Sequence, residues 1–173
     1  VSPIAASAFM SAIDMLTGDP LLSPPAEETR LSLLTPVNAT TPEAIEAEIE
    51  AKLVDGFRTF KIKVGKDLDA DIARIRVIQA AIAGRATVRI DANRAYTESD
   101  ARRFAAALDP EGVELFEQPC AAEDWDANAA VAGASAIPVM LDEPICTLDD
   151  IDRAVGIEGV GLCKLKLKRF GGL

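Results

Sequence analysis

Five charged residues recur along this chain at nearly one interval. Lys63 sits in the apolar stretch FKIKV, Asp91 closes VRID, Glu117 closes ELFE, Asp142 closes VMLD, and Lys166 lies in CKLKL. The spacings are 28, 26, 25 and 24 residues (positions 63, 91, 117, 142 and 166). A charge at the end of a buried strand is unfavourable unless it is paired or bound to a metal. Five at one structural phase therefore mark a candidate site. Neighbouring strands lie about 4.8 Å apart, so Asp91, Glu117 and Asp142 at one height could converge on a single ion. Three oxygen ligands without His or Cys suit Mg²⁺ or Mn²⁺, with water and substrate completing an octahedron. The competing reading is that these carboxylates are strand-end caps or ion pairs with nearby lysines.

The lysines add acid–base chemistry. Lys61 and Lys63 are two apart on one strand and so share a face. Each raises the other's cost of ionisation, as would a nearby dication, and a lysine depressed in this way can serve as a general base near neutral pH. Here too an ion pair to Asp91 or Glu117 is the alternative. Lys166 is two positions from both Lys164 and Lys168, which places three lysines on one face of a strand. Its phase puts Lys166 at the height of the ion, Lys168 at the rim and Lys164 deeper, paired with a carboxylate. Lys63 and Lys166 then flank a bound substrate from opposite sides.

The elements that would position these residues alternate regularly. Strands are predicted over 31–36, 59–64, 87–91, 113–117, 138–142 and 161–167. Helices intervene. Thr41-Pro42-Glu43 opens one with an N-cap, a proline at the first helical position and an acid in the first turn. It carries Ile45, Ile49 and Leu53 on one stripe and stops at Gly56. A second carries Ile72, Ile75, Ile78 and Ile82; a third starts at Thr97, with Asp100 placed as in a capping box. An alanine-rich helix follows around 126–132, and the last begins at Thr147 with Asp150 following. The order predicts parallel strands joined by crossover helices. There is no GxGxxG or Walker motif after the first strand, which disfavours a nucleotide-binding open sheet. A βα barrel gathers strand-end residues around one mouth, so the expected fold is an α/β barrel of the TIM type. Six strands do not close an eight-stranded barrel, so an incomplete one is expected. The first residues differ: a short helix over 5–16 precedes a proline-rich break, GDPLLSPPAEE.

A net charge of −10 argues against nucleic acid as a partner. No run reaches the ~18 apolar residues of a membrane span, and the N-terminal segment lacks the basic region of a signal peptide. Cys120, Cys146 and Cys163 are odd in number without CxxC spacing, and read as reduced thiols of a cytoplasmic protein. The chain contains no histidine, which removes His-based catalysis and ligation.

The ordered set Lys61-Ile62-Lys63, Asp91-Ala92-Asn93, Glu117-Gln118-Pro119, Asp142-Glu143-Pro144 and Lys166 five residues before Gly171-Gly172 resembles the enolase superfamily, and within it the muconate-lactonizing subgroup. The resemblance runs from about Ala5 to Leu173. It implies that Asp91, Glu117 and Asp142 are Mg²⁺ ligands, that Lys63 and Lys166 are the acid/base pair, and that Lys61 tunes Lys63. Enolase-type sites pair a Lys or His base with one or two Mg²⁺ ions. A lysine on the sixth strand separates the pattern from the mandelate racemase subgroup. The resemblance also implies that residues 1–26 are a remnant of an N-terminal capping domain and 27–173 part of the catalytic barrel. The seventh and eighth strands and the rest of the cap, which supply substrate specificity, have no counterpart here.

The expected reaction is proton abstraction α to the carboxylate of a small-molecule substrate. Mg²⁺ would stabilise the enediolate while Lys63 or Lys166 takes the proton. Epimerisation, dehydration and cycloisomerisation are all open outcomes, and a full-length protein is expected to be a homo-oligomer. Two rivals stand beside this: a Schiff-base aldolase using Lys166, and a non-catalytic half-barrel fragment or interaction module.

Overall fold

The computed structural model describes residues 2–24 and 27–172. Pro25 and Ala26, where the boundary after residue 26 is expected, and the terminal Leu173 lie outside the described residues. The elements are α1 (Pro3–Thr17), a 3₁₀ turn (Pro20–Leu22), β1 (Thr35–Pro36), α2 (Pro42–Val54), β2 (Thr59–Lys63), α3 (Leu68–Ile82), β3 (Thr87–Asp91), α4 (Glu98–Ala106), β4 (Val113–Glu117), α5 (Trp125–Ala134), β5 (Val139–Leu141), α6 (Leu148–Val155), β6 (Val160–Cys163) and α7 (Leu167–Phe170). The strands form one sheet in chain order, every neighbour parallel. This is six steps of a βα barrel, not closed within the chain.

Local signals set the helix starts. Thr41, Asp67, Thr97, Asp124 and Thr147 each accept a backbone N–H of the first turn. The reciprocal capping box is complete at α6, where Asp150 also accepts from the Thr147 N–H. At α4 it is not. The Thr97 hydroxyl donates to Asp100, as that of Thr147 does to Asp150, but the Thr97 N–H does not.

The strands alternate faces. Phe60, Ile62, Val88, Ile90 and Phe116 point outward and are buried beneath the Ile45–Ile49–Leu53 stripe of α2 and the Ile72–Ile75–Ile78–Ile82 stripe of α3, with Phe104 of α4. Burying such side chains at about 25 cal/mol per Å² dominates the folding energy. The opposite face carries Lys61, Lys63, Asp91, Glu117 and their neighbours. Packing of the outer face thus fixes which residues face inward.

The two edge strands are shorter than predicted. β1 is only Thr35–Pro36 rather than 31–36, because its ladder to β2 begins at the Thr35–Phe60 pairing, one residue into β2; Leu31 and Leu33 remain exposed. β6 ends at Cys163 rather than 167, because its ladder to the three-residue β5 ends at the Leu141–Cys163 pairing. The next N–H, of Lys164, makes the last bond, to the Leu141 carbonyl. Lys166 is the N-cap of α7, and Lys168 lies on that helix rather than on a strand face.

Candidate active site

Strand register decides which of the charged residues meet. Lys63 pairs with Asp91, and Asp91 with Glu117, so these three stand at one height. Glu117 pairs with Met140, so Asp142 stands two residues further along its strand direction. The three acids are therefore not level, as their spacing suggested; the row climbs, as the stagger of a barrel requires.

All three carboxylates are buried, with 2–3% exposure, and each is compensated by cations. Lys61 Nζ lies 2.7 Å from Asp91 and 2.9 Å from Glu117. Lys164 Nζ lies 2.5 Å from Glu117 and 3.9 Å from Asp142. Lys166 Nζ and Arg169 Nη1 each lie 2.7 Å from Asp142. Asp91 also accepts the Asn93 N–H at 3.0 Å, and both Asn93 and Arg94 have left-handed backbone there.

The electrostatics follow from this pairing. Burial alone would lower Lys61, but its hydrogen bonds to Asp91 and Glu117 outweigh that and hold the ammonium above its ordinary pKa. The expected depression of the Lys61–Lys63 pair is thus reversed at Lys61 by the two carboxylates. Burial likewise works to raise Asp142, but Lys166 and Arg169 outweigh it and hold its carboxyl below the usual range. Lys166 donates to the Asp142 carboxylate at 2.7 Å, so its amine is directed at the carboxylate row.

The ammonium groups of Lys61 and Lys164 bridge between neighbouring carboxylates. Among the described residues no group of three or more His, Cys, Asp or Glu side chains is arranged to hold an ion. The expected convergence of Asp91, Glu117 and Asp142 on one centre is not made in this arrangement, because the lysines take up the charge between them. The donor set itself fits a hard dication, being three buried carboxylates on adjacent strands. Lysine stems are flexible enough to yield that space.

Lys63 is exposed and opens on a cleft that Lys61 also lines, beside the loop after β1. Lys166 reaches the carboxylate row from the other end, through Asp142. Lys164 is paired with a carboxylate, as expected, but it touches two of the three rather than lying below them. Arg169 was not singled out by the sequence pattern, and Gln118 entered it only as part of Glu117-Gln118-Pro119, with no role. Gln118 is fully buried and accepts the Asp142 N–H, while its amide donates to the Cys120 carbonyl at 3.0 Å. Arg169, three residues after Lys166, comes to Asp142 only because α7 turns it back.

Residues 44–173 match the family described as Enolase C-terminal domain-like. An L-Ala-D/L-Glu epimerase of Clostridium acetobutylicum is 33% identical over 139 residues, which are 79% of this chain and 39% of the relative. Muconate cycloisomerase 1 of Acinetobacter baylyi is 33% identical over 116 residues, 66% of this chain and 31% of the relative. The crystal structure of the dipeptide epimerase from Enterococcus faecalis complexed with Mg and L-Leu-L-Tyr superposes with a TM-score of 0.85 at 29% identity, covering 99% of this chain and 50% of that one. The chain thus spans half or less of the length of these proteins. With its parallel strands in chain order and the matched span, the chain belongs to the Enolase C-terminal domain-like family.

Proposed function

We propose that the protein to which this chain belongs is a Mg²⁺-dependent enzyme that removes a proton α to the carboxylate of a small-molecule substrate. The reading is supported most by one observation: three buried carboxylates on adjacent strands, with Lys61 on Asp91 and Glu117, Lys63 in register with Asp91, and Lys166 on Asp142. Asp91, Glu117 and Asp142 would hold Mg²⁺, or Mn²⁺, as hard oxygen donors. The ion, when bound, supplies Lewis-acid neutralisation of the substrate carboxylate. Lys63 and Lys166 exchange the proton from opposite flanks, and Lys61, held between Asp91 and Glu117, keeps a positive charge beside Lys63. Return of the proton on the far side gives epimerisation; dehydration and cycloisomerisation remain outcomes of the same step. An amino-acid or dipeptide carboxylate is the favoured substrate class, supported by the relatives named above.

The same reading makes residues 1–26 a capping element and 27–173 the catalytic barrel; α1 packs against α7 at the barrel's end. It places the protein in the cytoplasm, with support from three free thiols, and as a homo-oligomer when full length. Among the described residues no helix is long and apolar enough to cross a membrane.

The test is calorimetric titration with Mg²⁺ together with α-proton exchange of L-Leu-L-Tyr in D₂O. Saturable binding lost in Asp91→Asn, with exchange lost in Lys63→Ala, supports the reading. Absence of binding favours the second reading, a non-catalytic half-barrel. That alternative takes its weight from the carboxylates being already paired with Lys61, Lys164, Lys166 and Arg169.

A further inference from the structure

We propose that Asp71 and Arg74, three residues apart on α3, form a clamp that positions Lys63 by fixing the backbone on both sides of it, so that its amine meets one face of the substrate. The proposal rests on the reading of Lys63 as an acid–base residue.

Asp71 is buried, and a single oxygen of its carboxylate, Oδ2, accepts three hydrogen bonds: from Gly65 N–H at 2.7 Å, Lys66 N–H at 3.2 Å and the Tyr96 hydroxyl at 2.8 Å. Arg74 donates to three carbonyls: Lys63 at 3.2 Å, Ala39 at 3.0 Å and Val37 at 2.6 Å. The Val64 N–H donates to the Asp91 carbonyl at 3.0 Å. Four consecutive residues, from Lys63 at the end of β2 to Lys66, are therefore bonded through their backbone, while the Lys63 side chain stays exposed.

The clamp joins three loops of the mouth. Through Arg74 it holds the loop after β1, and through Tyr96 the loop after β3. Tyr96 is itself wedged against Phe104 and Phe116. Burial first, and then the Asp71 carboxylate, push the Tyr96 hydroxyl far up, so it remains a donor at every physiological pH. Gly65 completes the approach. Its φ is +108°, and a Cβ there would meet the Ala95 Cβ at 2.3 Å, so only glycine lets the two loops touch.

The helix α3 has supports of its own besides these two residues. The helix has its own N-cap in Asp67, which accepts the Ala70 N–H at 2.9 Å, and its buried isoleucine stripe fixes its packing. The polar groups of Asp71 and Arg74 are spent on loops around Lys63. A misplacement of about 1 Å at a reacting group lowers rate on the order of 100-fold, which is the effect such a clamp prevents.

The experiment uses the full chain with Mg²⁺ in D₂O and the two epimers L-Leu-L-Tyr and L-Leu-D-Tyr as probes. Lys63→Ala and Lys166→Ala first assign each epimer to one amine. Asp71→Asn and Arg74→Lys should then slow exchange of the Lys63-dependent epimer roughly 10- to 100-fold in kcat, with KM and the Lys166-dependent epimer essentially unchanged. An equal loss for both epimers, or no loss for either, overturns the positioning role. Amide hydrogen exchange reads the clamp without activity. Exchange at Gly65 and Lys66 should rise in Asp71→Asn while β3 amides stay protected, and unchanged rates overturn the proposal. Tyr96→Phe, which removes one bond of three, should give a smaller effect of the same pattern and serves if Asp71→Asn does not fold. If the unaltered chain exchanges neither probe, the acid–base reading of Lys63 falls and the proposal with it. Exchange that is present but lost without preference overturns the clamp alone.

Discussion

The side chain of Gln118 accepts the backbone N–H of Asp142 at 2.8 Å, joining the end of β4 to the turn after β5 at a point where neither is exposed. Gln118 reaches this position with a left-handed backbone (φ 39°), and its own N–H donates to the Met140 carbonyl at 2.9 Å. The height of Asp142 in the carboxylate row is therefore set by its neighbour strand. Gln118→Ala leaves a buried N–H without a partner and is expected to destabilise the chain by about 1–3 kcal/mol. Denaturant unfolding measures it, and a loss below about 0.5 kcal/mol would show that water replaces the amide.

Mg²⁺ is expected to stabilise the chain by mass action, about 2.7 kcal/mol at 100 times its Kd. A thermal shift that depends on Mg²⁺ concentration and is absent in Glu117→Gln is the outcome that agrees with the proposed ligand set. The same shift retained in the variant would remove Glu117 from it.

Glu48 gives a pH dependence away from the site. Burial works to raise its carboxyl, but Lys52 and the Ala39 and Asn38 N–H groups outweigh it and hold it below the ordinary range. A depressed folded pKa contributes stability that is present above the unfolded value, near 4.3, and lost as pH falls through the folded one. Glu48→Gln should flatten the stability curve between about pH 5 and pH 3, read by urea unfolding at several pH values. An unchanged curve would show that the loop after β1 is held without this charge.

The thiols should separate by environment. Cys120 is buried and its thiol is pushed up to about 11, by burial first and then by Asp124 and Glu98. Cys146 is exposed. Thiol titration of the folded chain at pH 8 is expected to modify Cys146 rapidly and Cys120 only on unfolding. Rapid labelling of Cys120 would mean that α5 opens from the sheet.

Much of the fold is legible in residue order because its signals are local. The threonine and aspartate caps, the isoleucine stripes of α2 and α3, and the alternation in FKIK and TVRID each depend on a few neighbouring positions. The edge strands were overestimated for a matching reason. Leu31–Leu34 and Lys164–Leu167 have strand-like composition, but a strand extends only as far as its partner. Among the described residues β1 and β6 each pair on one side, and their ladders set their lengths.

The order lysine, three acids, lysine was fixed by sequence alone, since barrel topology carries each strand end, or the first residues beyond it, to the same mouth. Tertiary structure decided the rest: that Asp142 stands above Glu117, that Lys164 reaches two carboxylates rather than one, that Arg169 joins the row, and that Asp71 and Arg74 bond the backbone on either side of Val64. These depend on inter-strand stagger and on side chains reaching between elements. Spacing along one chain carries the phase of each strand but not its offset from the next, and that offset determines which charges touch.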